Sequence, residues 1–236
     1  MPAFSSRIMQ AFARAALLVL PLAATAGEPS AALSQACAQR LPASTLTFVV
    51  RIVAPLVQQQ LGFEELRTLV PAAPEDAVLG ATSFAADSEV EWTSRTVSDT
   101  VTGMRCTRVA ATIRLGVAPQ KVHVAREIAH GTCPYQVVLR HELGHVRINE
   151  AQMRLTAETL NTAAAAEFGG KAWYGSAEQI DQAIRAEMSE VWLARAAALL
   201  RAARALHAEH DHADRQANGL EQCMENKPAL IADARP

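Results

Sequence analysis

Residues 135–168 contain no proline and little glycine, and their Ala, Leu, Glu and Gln content favours one long helix. Pro134 suits the first turn of that helix, where its missing N–H leaves nothing unsatisfied, and Gly169-Gly170 ends it. The stretch places His141 and His145 four residues apart, one above the other on the same helical face. Glu142 is turned about 100° from that face. It stands beside the two rings without competing for what they hold.

Two imidazoles at this spacing with an adjacent carboxylate, His141-Glu142-Leu143-Gly144-His145, form a strong metal-site signal. Zinc is the expected cofactor: held by three protein ligands it keeps a position for water and lowers that water's pKa towards neutrality. Glu142 is the expected general base, taking the water's proton and passing it to a departing amine. Gly144 leaves space beside the ion for a close approach.

The third ligand is open at this level. Glu150, nine residues past His141, faces away from the two rings. A second apolar stripe (Ile180, Ile184, Met188, Val191, Leu199, Leu206), opened by a capping box from Ser176 to Gln179, reads as a helix running back along the first. If the chain turns near residue 172, a rise of about 1.5 Å per residue sets residues 199–203 opposite the motif. Glu187 and Glu190 then fall short. The first ligand-capable residues near the mirrored position are His207, His210, Asp211 and His212, and at least one residue of 207–214 is expected on the metal. His210 and Asp211 are the candidates put forward.

Upstream, residues 45–54 are rich in β-branched side chains and read as a strand ended by Pro55; a short helix or irregular segment follows within 56–69. Residues 81–117 alternate in the manner of strands around a turn at 99–103, which suggests an antiparallel pair or meander covered on one side. The expected fold is therefore α+β: a small antiparallel sheet followed by a long antiparallel helical hairpin carrying the HExxH zinc site.

Residues 1–26 resemble an export signal: Arg7 and Arg14, a short apolar run, then Ala24-Thr25-Ala26 at the spacing of a cleavage site. The run is too short to span a bilayer, which takes about 20 residues. Stable membrane insertion after cleavage is not expected. Cleavage removes both arginines and no acid, and since the full chain has 22 basic and 24 acidic residues, the mature charge becomes about −4. With no basic block, nucleic acid is not an expected partner on electrostatic grounds. The remaining parts are an exposed lead-in (27–44), a zincin-like metallopeptidase domain (45–222) and a C-terminal tail (223–236). Cys37, Cys106, Cys133 and Cys223 permit two disulfides in any of three pairings, and no two are close enough for a four-cysteine zinc knuckle.

In the order of an early strand, a strand bearing Trp92, Cys106 in the next strand and His141-Glu142-Leu143-Gly144-His145-Val146 in a long helix, the chain resembles a bacterial family of predicted secreted zinc-dependent proteases, long carried as a domain of unknown function. The resemblance covers roughly residues 45–220. It implies a periplasmic or extracellular peptidase acting on a peptide, a protein or a peptidoglycan peptide. That family closes its second helix with a tyrosine–aspartate pair, then a threonine and a histidine–glycine pair. His210-Asp211 stands where the first pair belongs, with Asp214 and Gln216 in place of the threonine and histidine; a shift by two aligns Asn218-Gly219 instead. The competing expectation is a non-catalytic envelope protein whose zinc holds helices together or binds a partner.

Overall fold

The computed structural model describes residues 28–70, 78–85, 87–116, 118–217 and 221–223. The segment read as an export signal, the Asn218-Gly219 pair and the tail beyond Cys223 lie outside the described residues. The first half runs α1 (Ala31–Arg40), β1 (Thr45–Val50), β2 (Leu56–Gln58), α2 (Phe63–Arg67), β3 (Gly80–Ser83), β4 (Ser88–Ser98), β5 (Arg105–Leu115) and β6 (Lys121–Val124). The second half runs α3 (Cys133–Glu167), β7 (Trp173–Gly175), α4 (Ala177–Ala186), a π-helical segment (Glu187–Leu193), α5 (Ala194–Leu200), α6 (Ala203–Ala217) and a 3-10 turn (Glu221–Cys223).

The architecture departs from the antiparallel sheet and helical hairpin expected above. Among the described residues there are two sheets, and both are mixed. In the larger, β5 pairs along its whole length with antiparallel β4, while its other edge takes β1 in parallel and β7 antiparallel. In the smaller, β6 lies between parallel β2 and antiparallel β3. Alternation of buried and exposed side chains is the same for either strand direction. A long connection allows either direction: β1 and β5 are separated by enough chain for the crossover that parallel pairing requires, while β3 and β6, also far apart in sequence, pair antiparallel.

The motif sits on one continuous helix, α3, and among the described residues no second unbroken helix of that kind returns beside it. Gly169-Gly170 does close α3, but residues 173–175 then join the edge of β5. The Ser176–Gln179 capping box opens α4 as expected. The apolar stripe beyond it is carried by segments, with π-helical geometry at 187–193 and a break at Arg201-Ala202 before α6.

At 35 residues α3 is about 50 Å long, and its two halves serve different cores. The N-terminal half covers the smaller sheet, where Tyr135 and Val138 pack with Phe63, Leu66, Val124 and Ile128. The C-terminal half joins α4 and α5 over the larger sheet, around fully buried Trp192, with Phe48 and Phe168 in contact. Asn161 of α3 caps the outer edge of β1, accepting from Phe48 N at 2.7 Å and donating to Phe48 O at 2.9 Å. The HExxH residues fall where α3 passes over the smaller sheet.

The stretch expected as an exposed lead-in contains α1, which buries Leu33 and Cys37. The pairing of the cysteines is Cys37–Cys106 and Cys133–Cys223. The first fixes α1 to β5. The second ties the chain just past α6 to the first residue of α3. Among the described residues no helix is long and apolar enough to cross a membrane.

Candidate metal centre

Thr132 caps α3 by accepting from Tyr135 N, with Pro134 in the first turn. Nine residues past Thr132, successive i+4 steps put His141, His145 and Asn149 in one column. Glu142 is turned aside towards β3 and is 4% exposed. Thr82 Oγ1 of β3 lies 2.7 Å from Glu142 Oε2 and 3.0 Å from the Glu142 carbonyl, with one proton to donate between two acceptors. Strand and helix approach this closely because residue 80 is glycine: a Cβ there would stand 2.7 Å from both Glu142 Oε1 and Val138 Cγ1. Burial pushes the Glu142 carboxyl up to about 7, against the pull of the Thr82 hydrogen bond, and the charges of Asp211 and Asp214 push it the same way.

The opposite wall is α6. The break at Arg201-Ala202 re-aims the chain so that α6 packs on α3 and presents His207, His210, Asp211 and Asp214 to the histidine column. Asp211 Oδ1 is 3.0 Å from His145 Nε2 and 3.4 Å from His141 Nε2, and the two Nε2 atoms are 3.2 Å apart. Ligands of a tetrahedral zinc at 2.0–2.1 Å are separated by about 3.3 Å. The three atoms form a triangle of that size, so the donor set fits zinc. Burial drives the His145 imidazole down to about 4, helped by the neighbouring histidines and opposed by Asp211, which keeps the ring in the neutral form a metal requires.

His141, His145 and His210 also form a cluster whose ligand atoms lie within 4.8 Å of one another. This is a looser arrangement than the triangle with Asp211. His210 stacks on His141 at 4.8 Å between ring centroids and directs Nε2 to the His141 carbonyl at 3.0 Å. Its ring occupies the space above Gly144, where a Cβ would collide with it. The close approach expected at Gly144 is therefore made by a histidine ring. Asp214 Oδ2 is 3.1 Å from His141 Nδ1 but away from the N–H direction, an electrostatic contact and not a hydrogen bond.

The other candidates separate clearly. Glu187 accepts from Lys171 and from Trp192 Nε1 in the larger core, Glu190 is exposed, and Glu150 pairs with Arg154. Asn149 and Thr82, which the sequence did not single out, also converge here. His145 Nδ1 meets His207 Nδ1 at 2.9 Å, and His207 Nε2 meets Asn149 Oδ1 at 2.9 Å. Asn149 could have been found by extending the 141–145 spacing one more step; Thr82 carries no such local signal.

A cavity of about 690 Å3 opens onto His141, Glu142 and His145. It runs between β3, through Gly80 and Thr82, and the α5–α6 junction, through Arg201 and Arg204. Comparison of the chain with protein-family models, with curated proteins and with solved structures finds no match.

Proposed function

We propose that this chain is an exported zinc-dependent peptidase in which His141, His145 and Asp211 hold the ion and Glu142 is the general base. The observation that carries the reading is the triangle of two Nε2 atoms and one carboxylate oxygen, with edges of 3.0–3.4 Å, open to a cavity beside a buried carboxylate. When bound, zinc supplies a polarised water and a Lewis acid for the scissile carbonyl. Glu142 takes the proton, and its displacement to about 7 suits a group that must both accept and return one near neutrality. Thr82 holds one carboxylate oxygen in place, so that a single geometry serves both transfers.

An extended peptide is the substrate class best supported. The smaller sheet has the order β2-β6-β3, so the far edge of β3 has no strand partner among the described residues. That edge borders the cavity, and its backbone groups can pair with a substrate strand. Both disulfides favour an oxidising compartment such as the periplasm or the extracellular space.

A second reading, a structural zinc site, is favoured by the proximity of His210: if its ring closes the fourth position, no place remains for water. Zinc content after dialysis and hydrolysis of peptide and peptidoglycan-peptide libraries separate the two. For a peptidase, Glu142→Gln keeps zinc and loses about 10²–10⁴-fold in rate. Asp211→Ala loses zinc, and His210→Phe keeps it. An unaltered protein that holds one zinc and cleaves neither library, with zinc lost in His210→Phe, would establish the structural role and sink the enzymatic one.

A further inference from the structure

We infer that His207 is a positioning residue, the middle of a hydrogen-bond relay that sets the tautomer of His145 and aims its bare Nε2 at the ion. The inference rests on the metal site proposed above but not on catalysis. The relay starts at a group whose role is unambiguous, the backbone carbonyl of Val146, which only accepts. Gln120 Nε2 faces it at 3.4 Å, and Gln120 Oε1 therefore faces Asn149 Nδ2, at 2.8 Å. Asn149 donates there, which leaves its Oδ1 facing His207 Nε2 at 2.9 Å.

An amide oxygen only accepts, so His207 Nε2 carries a proton. In a neutral ring Nδ1 is then bare, and it lies 2.9 Å from His145 Nδ1. Two bare nitrogens at that distance repel, so His145 Nδ1 carries the proton. Its Nε2, the atom 3.0 Å from Asp211 Oδ1, is left with a free lone pair. Reversing either amide would set oxygen against oxygen, at Gln120–Asn149 or at Gln120–Val146. Gln120 and Asn149 are 4% and 5% exposed, so water does not relieve such a conflict. The direction of every bond thus descends from one carbonyl on α3 itself. His207 supports a ligand in the way that outer carboxylates and carbonyls orient metal-bound histidines.

The test uses the full chain labelled with ¹⁵N-histidine, stripped with chelator and studied at pH 8, well above the ordinary imidazole pKa of about 6.5. Ring ¹⁵N shifts should show His145 protonated at Nδ1, the tautomer less common in free histidine, and His207 protonated at Nε2. Asn149→Leu should move His145 towards the Nε2–H form and weaken zinc about 10–100-fold in a chelator competition. His145 found protonated at Nε2 in the unaltered protein, or zinc affinity within about twofold in Asn149→Leu, overturns the relay. If Asn149→Leu does not fold, the tautomers of the unaltered chain decide the question. Failure to bind zinc with the tautomers as stated would sink the metal site and leave the relay standing.

Discussion

Glu142→Gln in chelator-treated protein gives a readout of the site that needs no substrate. Burial holds the folded-state pKa of Glu142 at about 7 against an ordinary value of 4.5. Below pH 4.5 the carboxyl is protonated in both the folded and the unfolded chain, so the group adds no penalty. As the pH rises to about 7, the unfolded chain releases the proton while the folded chain retains it, and stability falls. Above about 7 the folded chain carries the buried charge and the loss is complete, at about 3 kcal/mol for the whole displacement. Glutamine has the same shape, stays neutral and can still accept from Thr82. The variant's advantage should therefore grow from near zero at pH 4.5 to about 3 kcal/mol at pH 8–9. Urea unfolding of both proteins at pH 4.5, 6, 7 and 9 measures this difference directly. Adding zinc should flatten the slope of the unaltered protein, because a neighbouring cation favours the ionised carboxylate. Parallel stability curves across that range would refute the claim that Glu142 is held in a desolvated pocket.

Gly144→Ala places a methyl group against the His210 ring and should break its bond to the His141 carbonyl, destabilising the fold by about 1–3 kcal/mol while zinc is retained, as in His210→Phe. Equilibrium unfolding and chelator competition on one preparation read both effects. Trp192→Ala empties the centre of the larger core and should cost about 3–5 kcal/mol in urea unfolding while leaving zinc stoichiometry at its original value, since Trp192 packs with Phe48 and Phe168 and not with the histidines.

What could be read from residues alone was what local physics governs. The span of α3, the His141–His145 column, the Ser176–Gln179 box and the β4–β5 pair with its turn depend on neighbours a few residues away, and each is present. Parallel pairing of β1 with β5 and of β2 with β6 is a property of long connections that leaves no mark on alternation. The mirrored position was misplaced because residues 173–175 extend along the sheet before α4 begins, and because the returning chain is broken. As a result Gln152 reaches the Leu199 carbonyl, and His145 meets His207 in place of residues 199–203. For this reason His207, His210 and Asp211 face the histidine column. Between His210 and Asp211, spacing could not decide; interatomic distances favour Asp211.

The groups proposed to hold the ion are supplied at widely separated moments of synthesis. His141 and His145 leave the ribosome well before Asp211, and the sulfur clasp from Cys133 waits for Cys223. A nascent chain, or one truncated before residue 211, has only two of the three proposed donors. On the proposed ligand set, metal loading waits until α6 has been made and folded back on α3.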